Sequence, residues 1–517
     1  MNRRIRRLAV ALMFCFAALF VQMNLLQVGQ MSCPGIATPL TRTGCRKRLD
    51  KDPTNNRAIV RDFSQPRGSI TTADGVVLAK SVPVKDQFKY QREFPEGDLF
   101  GPITGYYNFA FGATGLEKYY NDELAGQTAK QQYHSLSDLF VTRQHTGDLT
   151  LTIRKDVQLQ ARQALEQALS ARGLHEGAAV ALDPRTGAIL ALWSDPTFDP
   201  NPLSSHDHKT AQYAKNLLDG SSQVPLLARS YRETYAPGST MKVVTGSIGV
   251  DTGKVTADHP SYPSESAYQP PYGLAISNFG GEVCGGTLFR ILAVSCNSSF
   301  AQMGLETIGP SLMVAGADKF GFNEQPPIDL PNAATSVFPT DFAHQLPLLA
   351  QGSIGQGDVR ATPLEMALAT AGVANNGAIM APHLLNQVID EQGNVVKTYE
   401  NHVWKQAISP SAAATMRGAM INVVDHGTAR GVFNVPGYTV GAKTGTAEVA
   451  TTPATNNAWM VAWAGPTGQE PTVVVAVVVP RVPGHGNEST GAAVAGPVAS
   501  ALLNAAIAAQ NQPGGGH

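Results

Sequence analysis

The sequence predicts an α+β protein, with a small β-rich domain ahead of a larger one whose sheet is split along the chain. Three observations carry that prediction. Strand-like segments cluster near residues 178–193 and again near 438–480, with a long helical stretch between them. The run V-V-V-A-V-V-V, Val473 to Val479, is apolar at every position, which fits a strand buried on both faces. Amphipathic or apolar helical patterns flank both clusters, so helices pack on the sheet.

Taken in order, the chain opens with a tail, residues 1–7, carrying Arg3, Arg4, Arg6 and Arg7. Residues 8–28, L-A-V-A-L-M-F-C-F-A-A-L-F-V-Q-M-N-L-L-Q-V, are long enough to cross a bilayer as a helix. Gln22, Asn24 and Gln27 weaken the exit end, but no A-x-A-like site follows and the run exceeds a signal h-region. The reading is an uncleaved single-pass anchor in the cell membrane, with the arginines cytoplasmic and the rest extracytoplasmic. Residues 29–57 are polar and basic, a juxtamembrane linker. Residues 58–148 hold short strand-like pieces such as A-I-V-R-D-F (Ala58 to Phe63) and G-V-V-L-A (Gly75 to Ala79), broken by turn residues, and show no acid/base constellation. They read as a non-catalytic pedestal.

The larger domain covers 149–510. Leu149 to Ile153 alternates like a strand, and Asp156 to Arg172 has amphipathic helical spacing. Ala178 to Leu182 and Ala188 to Trp193 flank the turn D-P-R-T-G and form a hairpin. Tyr438 to Val449, Asn457 to Ala464 and Pro471 to Pro480 are further strands. Gly491 to Ala509 is a closing helix, and 511–517 a disordered tail.

Composition bounds the function. The chain has 39 basic and 40 acidic residues among 517, so nothing suggests a nucleic-acid partner. Of five cysteines, Cys15 lies in the anchor; spacing pairs Cys284 with Cys296 and Cys33 with Cys45, in a compartment that favours disulfides. No zinc spacing occurs, and no metal or cofactor is implied. His206, Asp207 and His208 lack a third ligand and read as solvated. Gly352 to Gly357 lacks the G-K-[ST] ending of a phosphate loop and reads as turns. Trp193, Trp459 and Trp463 read as core, and Glu448 as a surface glutamate.

The chemistry begins at Y-A-P-G-S-T-M-K-V-V, Tyr235 to Val244. Ser239 lies at the mouth of a helix, where a serine is ordinarily an N-cap worth about 1 kcal/mol. Lys242 follows on the same side of that helix, within reach of the hydroxyl. Alone, S-x-x-K is common. Ser295-Cys296-Asn297 then offers a hydroxyl and an amide at the end of an apolar helical piece, and Lys443-Thr444-Gly445 places a lysine and a glycine inside a core-forming strand. A glycine there fits a close backbone approach.

This ordered set resembles the penicillin-recognising serine enzymes. P-R-G-S-I-T-T-A-D-G-V-V-L-A (Pro66 to Ala79), T-G-L-E-K-Y-Y-N-D-E-L-A-G (Thr114 to Gly126) and G-S-I-G-Q-G-D-V-R-A-T-P-L-E-M-A (Gly352 to Ala367) narrow the likeness to class B penicillin-binding proteins, most of all the actinobacterial penicillin-binding protein A group. The resemblance implies the penicillin-binding transpeptidase fold, an antiparallel sheet with helices on both faces and an all-helical insert. It also implies peptidoglycan D,D-transpeptidation through a Ser239 acyl-enzyme that β-lactams block. Ser239 would be the nucleophile, Lys242 its base and Ser295 a proton relay. Asn297 would hold a substrate amide; Lys443, Thr444, Gly445 and Thr446 would bind the donor end. The N–H groups of Ser239 and Thr446 would form the oxyanion hole. Implied partners are stem peptides ending in D-Ala-D-Ala and a membrane glycan-polymerising glycosyltransferase, since the segment before Leu149 is too short to hold such a domain. The rival readings are a D,D-carboxypeptidase or β-lactamase-type hydrolase, and a non-enzymatic β-lactam-binding membrane scaffold.

Overall fold

The structure, a computed structural model, describes residues 10, 12–21, 56–128, 146–342, 345–451, 454–484 and 486–512. The Cys33–Cys45 pairing and nearly all of the linker and tail lie outside the described residues. Residues 12–21 of the N-terminal run form an apolar helix with exposed side chains, Phe14 and Phe20 among them.

Residues Asn56–Phe63 also form a helix. This corrects the strand expected for A-I-V-R-D-F: the β-branched pair Ile59-Val60 suggests a strand, but with Phe63 it recurs at helical spacing. Phe63 stacks on Tyr107 with centroids 4.3 Å apart and also meets Phe88 and Phe109.

Two sheets organise residues 62–517. In chain order the strands used here are β1 (Ile70–Thr71), β2 (Val77–Pro83), β3 (Tyr90–Glu93), β4 (Asp148–Leu151), β5 (Gly177–Leu182), β6 (Ile189–Asp195), β7 (Leu385–Ile389), β8 (Val395–Thr398), β9 (Tyr438–Thr451), β10 (Ala454–Pro466) and β11 (Val473–Pro483). The pedestal sheet runs β8-β7-β4-β1-β2-β3, with β1 and β4 parallel and the other pairs antiparallel. Three of its six strands come from outside 58–147. The Leu149 strand therefore serves the pedestal rather than the larger sheet.

The insert is not all-helical. β7 and β8 leave it as a hairpin to complete the pedestal sheet. Their turn is set by Asp390, whose carboxylate accepts from the N–H groups of Gln392 and Asn394, and by Gly393 at φ +85°. Short strands at Tyr262–Glu265 and Cys284–Gly286, at Ala267–Tyr268 and Ile276–Ser277, and at Ala378–Met380 and Val403–Gln406 also pair within it.

Buried polar groups brace the pedestal and join it to the larger domain. Glu117, fully buried, receives Arg67 Nε at 3.0 Å and Arg92 Nε at 2.6 Å. Three residues on, Tyr120 donates to Asp329, which also accepts from the backbone N–H groups of Leu384 and Leu385 at 2.7 Å. His206 is likewise not solvated: its Nδ1 lies 2.7 Å from Asp86 and its ring packs on Phe88 at 4.9 Å. Asp207 instead caps the helix His208–Asp219, accepting from the N–H groups of Lys209 and Thr210. The three groups do not converge on one point.

The larger sheet is antiparallel in the order β9-β10-β11-β5-β6. β11 lies at its centre, and Val473 to Val479 are fully buried. One face is covered by α1 (Lys155–Ser170) and the C-terminal Gly491–Gln510 helix, the other by helices of the insert, Pro363–Ala374 and Pro410–His426. The C-terminal helix is long and apolar enough to cross a membrane by composition, yet Val494, Val498, Leu502 and Leu503 are buried against the sheet. Trp193, Trp459 and Trp463 are buried on these strands.

Candidate active site

Tyr235 to Ser239 run between β9 and the Gly352–Gly357 segment. Tyr235 exchanges two backbone hydrogen bonds with Ala361, at 2.9 and 2.8 Å, and Trp459 Nε1 donates to Ala236 O at 2.9 Å. Gly238 N donates to Gly355 O at 2.9 Å. Gly238 and Gly355 have φ of +53° and +73°, and a Cβ on Gly355 would lie 2.2 Å from Gly238 O. Only glycine fits two backbones this close. The glycine-rich segment is thus the floor beneath the serine's turn.

Gly238–Thr240 is a 3-10 turn that continues into the buried helix Met241–Asp251. Ser239 therefore lies inside the turn, half-buried, rather than capping the helix. Among the described residues its hydroxyl makes no hydrogen bond.

Lys242 is fully buried one turn later. Its Nζ donates to Ser295 O at 2.7 Å, Ser295 Oγ at 3.3 Å and Asn297 Oδ1 at 2.6 Å. Those bonds, and not one to Ser239, fix its ammonium. From the facing strand, Lys443 Nζ donates to Ser295 Oγ at 2.9 Å and to Thr444 O at 2.9 Å. Two lysine Nζ atoms thus bracket one hydroxyl. Burial, and after it the neighbouring Lys443, hold Lys242 well below the usual lysine range. Burial alone brings Lys443 down to about 7.

Ser295 breaks the chain between the helices Leu288–Ala293 and Asn297–Gln302 with φ +60°. A non-glycine residue in that region costs on the order of 1–3 kcal/mol, and such strain concentrates at functional sites. The next residue, Cys296, is disulfide-bonded to Cys284 with Cα atoms 5.8 Å apart. Asn297 Nδ2 donates to Ser277 O at 3.0 Å, so the motif is tied to two separate strand pairs, one through Cys284 and one through Ser277.

On β9, side chains alternate between faces. Lys443 and Gly445 point toward the serine's turn: a Cβ on Gly445 would lie 2.8 Å from Thr240 Cγ2 and 3.0 Å from Pro237 O. Thr444 and Thr446 share the other face. Thr444 Oγ1 lies 2.7 Å from Thr428 Oγ1, and Thr446 Oγ1 accepts from Gly491 N at 3.3 Å. Glu448 is exposed.

Sequence reasoning missed Thr428, whose hydroxyl is set only by the fold, and the hold of Trp459 on Ala236. The tryptophan was legible as core, but its indole N–H needed a partner, and that was the available signal.

A family model described as penicillin binding protein transpeptidase domain matches residues 177–504. The chain belongs to the penicillin-binding protein transpeptidase family. A second model, described as penicillin binding protein A dimerisation domain, matches residues 67–149. The chain is 34% identical over 518 residues to a peptidoglycan D,D-transpeptidase PbpA of Mycolicibacterium smegmatis, covering 98% of this chain and 99% of the relative. The penicillin G acyl-enzyme complex of penicillin-binding protein A from M. tuberculosis superposes with a TM-score of 0.77 at 32% identity, covering 86% of this chain and 100% of that one. Its imipenem acyl-enzyme complex matches with the same score and identity, covering 87% and 100%. The penicillin-binding transpeptidase fold expected from the motifs is the fold of this family.

Proposed function

We propose that the chain is a serine-type peptidoglycan D,D-transpeptidase that cross-links stem peptides and is blocked by β-lactams. The observation that carries this reading is the convergence of Lys242, Ser295, Asn297 and Lys443 beside a serine whose turn is seated on Gly355. In the proposed reaction Ser239 Oγ attacks the carbonyl between the last two D-alanines. Lys242, neutral because it is buried beside a second cation, takes the hydroxyl proton. The new C–O bond forms first and puts the negative charge on the carbonyl oxygen; the C–N bond then breaks as Ser295, hydrogen-bonded to both lysines, passes a proton to the departing D-alanine. The N–H groups of Ser239 and Thr446 stabilise the oxyanion. Thr444, whose Oγ1 lies 3.4 Å from Lys443 Nζ, holds the donor's terminal carboxylate beside that charge, Thr446 acts through its backbone because its Oγ1 accepts from Gly491 N, and Asn297 holds a backbone amide. An amine of a second stem then attacks the ester, releasing Ser239. A β-lactam acylates the same oxygen, but its leaving nitrogen stays attached.

The apolar N-terminal run is proposed as a single-pass anchor that leaves residues 29–517 extracytoplasmic, with 58–151 and the 385–398 hairpin as pedestal and the rest of 152–510 as catalytic domain. A membrane glycosyltransferase that polymerises glycan is the proposed partner, supplying the uncross-linked strands.

The test is to give purified enzyme a thioester D-alanyl donor together with D-amino-acid acceptors. Transfer to the acceptor is expected; release of the free acid alone would assign the chain to the hydrolases.

The paired lysines also set a pH dependence. Acylation needs neutral Lys242, a fraction that rises with pH, and charged Lys443, a fraction that falls above about 7. Second-order acylation by penicillin should therefore follow a bell-shaped pH profile. In Lys443→Met the neighbouring positive charge is gone, so the acidic limb should move to higher pH. An unmoved limb in stopped-flow acylation would show that Lys443 does not tune Lys242.

A further inference from the structure

A cavity of about 300 Å³ opens where the pedestal meets the larger domain, and its lining includes none of Ser239, Lys242, Ser295, Asn297 and Lys443. Tyr106, Phe198 and Leu226 supply apolar wall, and Lys118 and Arg232 bring two positive charges to it, with no aspartate or glutamate in its lining. Among the described residues neither cation has an ion-pair or side-chain hydrogen-bond partner. Lys118 is exposed and Arg232 half-buried.

The walls are held in unfavourable backbone. Val224, which lines the cavity, has φ +48°, and Asn332, also in the lining, has φ +61°. A β-branched residue at positive φ is a steric outlier, and such outliers persist where the surroundings over-determine them. Here the constraint is Arg229, nearly fully buried, which donates from Nη2 to Gln223 O at 2.7 Å and from Nη1 to Val224 O at 3.3 Å. Its Nε lies 3.1 Å from Glu233. The fold thus fixes the shape of this cavity before anything enters it.

An apolar cleft with a few convergent polar groups is the ordinary form of a small-molecule site, and this volume lies at the small end of that range. Unpaired cations over low-dielectric walls attract and hold an anion, through charge-assisted hydrogen bonds where the geometry allows. We propose that this junction cavity binds a small amphipathic oxyanion, a carboxylate or a phosphate ester. Its anionic group would lie between Lys118 and Arg232, and its apolar body against Tyr106, Phe198 and Leu226.

The test uses the full chain in detergent, first acylated with penicillin G so that the catalytic cleft is filled. Isothermal titration with 4-phenylbutyrate, phenyl phosphate and the neutral 4-phenylbutanamide then reads binding at the junction alone. At least one anion is expected to bind saturably and at least tenfold more tightly than the amide. Tight binding of only the carboxylate or only the phosphate identifies the oxyanion and supports the site. Lys118→Ala and Arg232→Gln should each weaken the anion at least fivefold and leave the amide unchanged. The exposed Lys118 keeps the test valid if the Arg232 variant misfolds. Equal binding of anion and amide, or anion binding unchanged in Lys118→Ala, overturns the proposal, as does no binding at all. Failure of the acylation step itself would appear separately, as enzyme without covalent penicillin, and would count against Ser239 instead.

Discussion

Ser239→Ala should abolish covalent labelling by fluorescent penicillin in isolated membranes, while the folded domain keeps its stability to within about 0.5 kcal/mol. The two halves of that expectation have different causes. The Ser239 hydroxyl is half-buried and makes no hydrogen bond among the described residues, so its loss leaves no buried group unpaired. The turn that holds it depends on Gly238, Gly355, Ala361 and Trp459, none of which touches the missing atom through a hydrogen bond. Chemically, though, the only other hydroxyl on that turn, Thr240's, is fully buried and donates to Pro237 O at 2.7 Å, so it does not replace the nucleophile. Removing a nucleophile from a preorganised site commonly lowers turnover on the order of 10⁶-fold. Lys242 and Lys443 would remain paired with Ser295, so the variant should still bind penicillin reversibly. Persistent covalent label, mapped by mass spectrometry to Ser295 or any other residue, would remove Ser239 from the role proposed for it.

The elements most legible in the sequence are those whose pattern has one physical solution. An uninterrupted valine run has to be buried on both faces, and β11 lies at the centre of its sheet. The two apolar runs flanking the D-P-R-T-G turn likewise became the β5–β6 hairpin. The candidate site was legible as three short motifs, but their meeting depends on register: Lys443 lies opposite Val461 on β10, and a slip of one residue would turn its side chain to the other face. Nor does sequence reveal that Ser295 takes φ +60°. The insert's strands escaped notice because a hairpin that pairs with a distant sheet, as β7 does with β4, has no local signature of its partner. His206 was misread for a similar reason, since both Asp86 and the ring of Phe88 reach it across more than 100 residues of chain. The segments P-R-G-S-I and T-G-L-E-K-Y-Y carried a family likeness but no physics until the fold brought Arg67 and Glu117 together.

That pair yields the largest expected effect on stability. Glu117 has no exposed surface, and its two oxygens neutralise guanidinium groups whose side chains are only 4% and 2% exposed. Arg67 also donates from Nη2 to the Glu117 carbonyl at 3.1 Å, and its guanidinium lies 4.0 Å over the ring of Tyr107. In Glu117→Ala both cations stay buried and lose their shared anion, a change that typically costs about 3–5 kcal/mol. Glu117→Gln keeps the shape and one acceptor, and should cost less. The damage should begin in the pedestal sheet and reach the junction, because Tyr120 on the same segment holds Asp329 and, through it, the Leu384 and Leu385 backbone. Urea unfolding followed by tryptophan fluorescence checks the magnitude, and proteolysis of the pedestal checks where opening starts. Replacing Arg67, Arg92 and Glu117 together by apolar residues of similar volume should recover most of the loss, since buried ion networks often gain little over good packing. If Glu117→Ala instead unfolded at the wild-type urea concentration, the two arginines must reach water or another anion without it, and the network would be dispensable to the pedestal.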